Sequence, residues 1–336
     1  MSLFHNISEL GGQAETLHPY GAYSWLSKGP GDKKKIQVAG LGDVGSSLLI
    51  GLRLMGADVL KSIGIYDLDL NRCLRWEMEL NQIRQAFSEE EGPEVSILLE
   101  EELFACDIFV FCIARSVPAV GQEDKDVRLV QLEANGRIVA SYARKAAERG
   151  FKGLFVVVSD PVDLLCRVAL NATQDMEHPL HPNQIQGCGL GVMNARAMYY
   201  ARKYIAFGQY LTEGRAFGPH GDKLVIANSL NPGHYRAELS DELTRITRTA
   251  NLQMRQVGYK PYVAPALSSG ALTILQIIRG EWNYSANYLN GVYFGARNRT
   301  TSQGIEWELA DLPAELWEKL QDAYNWLKAY EEYKDY

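Results

Sequence analysis

Residues 36–45 read IQVAGLGDVG: an apolar, β-type run passes straight into Gly40, Gly42 and Gly45, and the next apolar run, SIGIY, closes on Asp67. Strand, glycine turn, helix start and acid, in that order, are the parts of a dinucleotide site. Each glycine answers a separate need. Gly40 permits the tight turn, Gly42 lets the backbone approach a pyrophosphate, and Gly45 lets the new helix lie against the sheet. The phosphates then meet the free N–H groups and positive dipole end of that helix, which makes Asp43 and Val44 candidate cofactor residues as well. Asp67, 27 residues after Gly40, can accept hydrogen bonds from the adenine ribose diol and would repel a 2′-phosphate. The expected cofactor is therefore NAD rather than NADP.

Such a turn works only if a sheet holds it. Apolar runs IQVAG, SIGIYD, DIFVFCIA and LFVVVSD read as strands, and VRLVQLEANGRIVASYARKAAERG has helical spacing and stops at Gly150. Unbroken apolar strands separated by helices predict a parallel sheet covered on both faces, with ligands at the carboxyl ends of the strands. From about residue 188 the texture changes to long helical stretches, ARAMYYARKYIAF and SDELTRITRTANLQMRQVG, mixed with the short strand-like runs KLVIAN and GVYFGA. The expected fold class is α/β: a doubly wound, Rossmann-type parallel sheet followed by an α+β domain that forms the other wall of a cleft. The expected divisions are an irregular N-terminal arm at 1–32, a nucleotide domain at 33–187 and a substrate domain at 188–336. Phe4, Tyr20, Tyr23 and Trp25 on the arm are costly to leave in water, which points to an arm laid across a neighbouring subunit.

Composition narrows the partners. The 336 residues suffice for two domains or one large α/β unit. The net charge of −7 is spread over interspersed signs, so neither nucleic acid nor an anionic membrane is an expected partner, and small metabolites are. Cys73, Cys106, Cys112, Cys166 and Cys188 are odd in number and form no C-x-x-C pair, so they read as reduced core thiols of a cytoplasmic protein, with no metal site apparent. No apolar run approaches the ~20 residues that span a bilayer and no signal peptide opens the chain. The sequons at Asn171 and Asn298 accordingly carry little weight.

Beyond the glycine turn, four signatures follow in order: 128–135 (RLVQLEAN), 160–163 (DPVD), 187–196 (GCGLGVMNAR) and 218–222 (GPHGD). Their order and separations resemble the lactate and malate dehydrogenase family, over about residues 34 to 330. The resemblance implies a Rossmann domain followed by a mixed catalytic domain, and NAD-dependent oxidation of 2-hydroxy acids to 2-keto acids. It also implies roles. Hydride transfer from a carbinol carbon must be coupled to loss of the hydroxyl proton, and His220, in the His-Gly-Asp signature, becomes the base for oxidation and acid for reduction. Arg196 matches the arginine that grips the substrate carboxylate with two parallel charged hydrogen bonds. Arg128, seven residues before Asn135, would polarise the substrate carbonyl from a mobile loop led by GQEDKD. The family assembles as dimers or tetramers, which implies a homodimer or homotetramer here.

Three departures stand against these matches. In an ungapped reading, the aspartate that orients the catalytic histidine is Met193, and a one-residue slip offers Asn194; neither is a carboxylate, and loss of such an orienter can cost up to ~10⁴ in rate. Secondly, the family's Asn-Pro-Val-Asp becomes Asp160-Pro161-Val162-Asp163. Asp160 either returns a carboxylate to His220 from another direction, repels a substrate carboxylate, or sits protonated in a relaxed active site. Thirdly, the loop after DIFVFCIA keeps Ala114, counted with the cofactor residues, but places Arg115 at the second position of the usual Ala-Gly pair and Pro118 at the residue that selects lactate or malate. Pro118 offers no hydrogen bond to a second carboxylate, and Val117, Ala119 and Val120 around it favour an apolar or bulky substituent. Arg115 reaches a cofactor phosphate, reaches a substrate acid, or faces water. Opposite, KPYVAPALSS resembles the family's helix over the substrate, which brings Lys260, Ser268 and Ser269 to the far wall.

Two functions follow as alternatives: a dehydrogenase acting on an unusual 2-hydroxy or 2-keto acid, or a catalytically impaired paralogue that binds NAD, which Met193 favours. Glycoside chemistry on the related NAD-dependent fold lacks its metal-ligand cysteine and histidine pattern.

Overall fold

The computed structural model describes residues 6–12, 32–87, 91–115 and 127–330, without the side chains of 127–131. Within these, β1 (Lys34–Ala39), β2 (Leu60–Tyr66), β3 (Glu94–Ile97), β4 (Ile108–Phe111), β5 (Leu154–Val157) and β6 (Ile185–Gly187) pair in parallel in the spatial order β3-β2-β1-β4-β5-β6. Every residue of β4 and β5 is buried, as central strands covered on both faces must be. The crossovers are α1 (Asp43–Met55), α2 (Leu70–Asn81), α3 (Val127–Glu148) and α4 (Val162–Asn171). Strand order reverses between β1 and β4, so their carboxyl ends diverge and open the crevice in which such sheets bind ligands. The four apolar runs of the sequence are β1, β2, β4 and β5. β3 escaped that reading because EVSI is short and buries only one residue fully.

The second half supplies α5 (Leu190–Lys203), α6 (Tyr210–Glu213), β7 (Arg215–Phe217), β8 (Val225–Ala227) and α7 (Ala237–Gln256). A π-helical turn, Pro265–Leu272, then runs into α8 (Thr273–Arg279). Next come β9 (Asn283–Leu289), β10 (Val292–Thr301), β11 (Gly304–Trp307) and α9 (Ala314–Ala329). β9, β10 and β11 form an antiparallel meander that joins β6 through Gly187 and Ala286, so one sheet of nine described strands crosses from the first half into the second. β7 and β8 pair separately. The π-helical segment packs so tightly on α1 that a Cβ on Gly51 would lie 2.5 Å from the Ala271 methyl. This crossing carries the chain from 257 to 264 past the amino end of α1.

Residues 6–12 pack on their own chain: Ile7 and Leu10 join the main core, and the Leu10 carbonyl accepts from Asn290 Nδ2 at 2.6 Å. The described part of the arm is thus intramolecular, while Phe4, Tyr20, Tyr23 and Trp25 lie outside the described residues. All five cysteines are free thiols, and burial pushes Cys112 up to about 12. Among the described residues no helix is long and apolar enough to cross a membrane.

Candidate active site

The glycine turn has the shape its residues demand. Gly40 sits at φ +95°, and a Cβ there would lie 2.7 Å from the Ile113 nitrogen, so side-chain-free backbone is needed for conformation and for space. A Cβ on Gly45 would come within 1.9 Å of the Gly40 carbonyl oxygen, whereas one on Gly42 would meet nothing within 4 Å. The turn is closed where helix meets strand and open where a pyrophosphate approaches. Asp67 follows β2, and its Oδ2 accepts from the Leu41 N–H at 2.8 Å while Arg72 pairs with it at 3.2 Å. Ala114 leaves β4 directly after the Ile113 backbone that packs on Gly40. These features fit a dinucleotide with its phosphates over Gly42 and the start of α1, at Asp43 and Val44.

Across the crevice, His220 lies on the loop between β7 and β8. Its backbone N–H donates to Asp163 Oδ2 at 3.0 Å, and a Cβ on Gly189, the residue before α5, would be 3.0 Å from its Cβ and Cγ. The imidazole Nδ1 lies 3.0 Å from Asp160 Oδ1. Nε2 makes no hydrogen bond to any described residue. Asp160 is positioned by its own backbone: its carbonyl accepts from Asn135 Nδ2 at 2.8 Å, and Asn135 Oδ1 accepts from the Arg115 N–H at 3.0 Å. Ser159 Oγ donates to the Ile113 carbonyl at 2.9 Å, so the ends of β4 and β5 are laced together beside the histidine. Burial alone would lower the His220 pKa, but the Asp160 carboxylate, by charge and hydrogen bond, and Asp163 behind it offset this, and the net direction is up. Asp163 is buried, which pushes its carboxyl up to about 6 against the hydrogen bond from His220.

Arg196 projects from α5 toward the same space. Burial lowers its pKa, opposed by Tyr200 and Asp160; the group stays a cation and forms no salt bridge with a described residue. Its Nη1 lies 3.7 Å from the sulfur of Met193, which is 5% exposed. Asn194 points elsewhere, its Oδ1 accepting from the Tyr210 hydroxyl at 2.8 Å, so the one-residue slip offers His220 nothing. Ser269 is buried and ties the π-helical segment to α5: it donates to the Gly189 carbonyl at 2.7 Å and accepts from the Val192 N–H at 2.8 Å. The Ser268 carbonyl accepts from Thr273 Oγ1, and Ser268 lies half-buried in the π-helical segment, its carbonyl 2.7 Å from where a Cβ on Gly191 of α5 would stand. Lys260 stands apart from these, with Nζ 3.0 Å from Asp43 Oδ2 at the nucleotide turn.

The structure therefore brings together His220, Asp160 and Arg196 on one side and the three glycines, Asp43, Val44, Asp67 and Ala114 on the other. The Arg128 side chain and Pro118 lie outside the described residues. Two supports were not read from the sequence, the Asp163 carboxylate under His220 and the Asn135 amide under Asp160. DPVD and RLVQLEAN contained both, but only the pairing of distant segments shows what they hold. A cavity of about 570 Å³ lies elsewhere, between α7 and α9, lined by Leu224, Val225, Asp241, Glu318 and Lys319 among others.

A parallel sheet with its glycine turn at the switch point, continued by an antiparallel meander, defines a Rossmann-type dinucleotide-binding protein. Residues 34–180 match the family model for the lactate/malate dehydrogenase NAD-binding domain. An L-lactate dehydrogenase of Oceanobacillus iheyensis is 26% identical over 189 residues, 56% of this chain and 54% of that protein. The match thus spans about half the length of such relatives. A lactate dehydrogenase from a Medee basin deep-sea metagenome library superposes with a TM-score of 0.74 at 19% identity, covering 91% of this chain and all of the other. The malate dehydrogenase of Archaeoglobus fulgidus, solved in complex with NADH, gives 0.70 at 19% identity over 90% of this chain and 100% of its own. Residues 34–180 thus carry the NAD-binding domain of the lactate/malate dehydrogenase family, and the fold of the whole described chain is that of the solved lactate and malate dehydrogenases.

Proposed function

We propose that this protein is an NAD-dependent oxidoreductase interconverting a 2-hydroxy acid and a 2-keto acid, in which Asp160 takes over the carboxylate role that Met193 has vacated. The observation that carries this reading is the 3.0 Å approach of Asp160 Oδ1 to His220 Nδ1. Bound NAD supplies the hydride acceptor, and NADH the donor. His220 Nε2 takes the hydroxyl proton during oxidation and returns it during reduction, while Asp160 stabilises the imidazolium. Arg196 holds the substrate carboxylate, since a half-buried guanidinium without a salt-bridge partner among the described residues is poised for an anion. Arg128 polarises the reacting carbonyl, and Pro118 with Ser268 faces the substituent, selecting an apolar or bulky group over a second carboxylate. Residues 33–187 form the coenzyme domain, which also lends Arg128, Pro118 and Asp160 to the substrate site, and 188–336 the substrate domain, in a cytoplasmic homodimer or homotetramer whose mass light scattering measures. A screen of 2-keto acids with NADH tests the activity: one is reduced, and His220→Ala abolishes the reduction.

The alternative is a catalytically impaired NAD-binding paralogue, and buried, apolar Met193 at the position of the orienting acid favours it. Tight NADH binding without turnover across a broad keto-acid panel would establish that alternative.

A further inference from the structure

We propose that Lys260 is a coenzyme-binding residue of this protein, placing its ammonium group on the pyrophosphate from the opposite wall of the crevice. The inference rests on the reading of the glycine turn as the NAD site.

The starting point is an anomaly in that turn. Asp43 is the first residue of α1, where the free N–H groups should receive two phosphate charges. A carboxylate there suits the helix dipole of the empty protein, yet it repels the anion the turn is built to hold. Gly42 beside it is open, since a Cβ there would meet nothing within 4 Å, and among the described residues the salt-bridge partner of Asp43 is Lys260. The compensation arrives from 217 residues away: Lys260 Nζ lies 3.0 Å from Asp43 Oδ2. Its position follows from the fold, because the segment bearing it leads into the π-helical turn that packs on α1 through Gly51 and Ala271.

The pair does little for folding. The Lys260 side chain is 80% exposed and that of Asp43 51%, and exposed ion pairs contribute little stability. The same exposure leaves the ammonium free to turn from the carboxylate toward a phosphate, a short rotation of a flexible stem. With Lys260 in place the Asp43 charge is balanced by the ammonium 3.0 Å away; without it, that carboxylate faces the pyrophosphate unbalanced by this lysine. The lysine thus acts twice, by cancelling Asp43 and by giving the phosphate a charged hydrogen bond.

The test is NADH titration of the full-length protein, followed by cofactor fluorescence, for the wild type, Lys260→Gln, Asp43→Asn and the double variant, at low and moderate salt. ADP-ribose and adenosine, with and without the pyrophosphate, serve as competing ligands. Lys260→Gln is expected to weaken NADH and ADP-ribose about tenfold, the loss of one charged hydrogen bond, to leave adenosine unchanged and to flatten the salt dependence. Asp43→Asn should tighten NADH binding several-fold, and the double variant should remain weaker than Asp43→Asn alone. Equal NADH affinity with lysine or glutamine at 260, in either background, overturns the inference while the coenzyme reading stands. A wild type that binds no NADH removes both.

Discussion

Replacing Asp160 by asparagine keeps the side chain's shape and its acceptor for His220 Nδ1 but removes the charge. Two unit charges about 4 Å apart interact by ~1 kcal/mol in bulk water and ~4 kcal/mol at an effective dielectric of 20. Asp160's side chain is 55% exposed, so water screens the pair and the lower half of that range applies, about 1–2 kcal/mol. If the imidazolium needs that charge in the transition state, keto-acid reduction slows about 5- to 30-fold in kcat/KM. The pH profile separates this from a general disturbance. Reduction requires protonated His220, and Asp160 raises the imidazole's pKa, so the wild type keeps its rate above the ordinary histidine range and loses it as pH rises through the raised value. In Asp160→Asn the alkaline limb moves to lower pH. NADH oxidation followed by absorbance across a pH series, with saturating coenzyme, gives both quantities. A rate and limb that stay where they were would refute the relay. A fall in KM with a rise in kcat/KM would show instead that Asp160 repels the substrate.

Other outcomes follow from the same geometry. Adding Met193→Asp to Asp160→Asn should recover part of the lost rate and return the alkaline limb toward the wild-type position; a further loss of rate in a folded double variant would show that residue 193 does not face the imidazole. Asp163 is pushed from 3.8 to about 6 by burial, so the folded protein binds a proton more readily than the unfolded chain between those values. Stability should therefore fall by about 3 kcal/mol as pH rises through that window, and Asp163→Asn should flatten this slope in urea unfolding while still accepting from the His220 N–H. Gly45→Ala would press a methyl to within 1.9 Å of the Gly40 oxygen. It should cost about 3 kcal/mol, the upper end of overpacking, visible as a lower Tm together with weakened NADH binding.

The central strands and the glycine turn were legible in the sequence because their causes are local. A strand buried on both faces must be apolar throughout, as β4 and β5 are, and a turn that brings backbone to within a methyl's width of backbone must be glycine, as at Gly40 and Gly45. β3 was not legible, since a short strand with exposed residues carries no such demand. Met193 was legible as a missing acid. Asp160 as its substitute was legible only as one reading among three, because Asp160 and His220 are 60 residues apart and could equally have faced away from one another. Their meeting depends on Asn135 holding the Asp160 backbone and Asp163 holding that of His220, contacts no spacing rule contains. Likeness of its surroundings points Lys260 to the substrate wall, whereas the structure sets it against Asp43 at the start of α1. The sequence by itself thus determined the central strands, the coenzyme cradle and the residue types at the candidate site, all consequences of covalent neighbours. Which charges pair across the crevice was decided only by the tertiary structure, because Coulomb energy depends on distances in space that the order of residues does not contain.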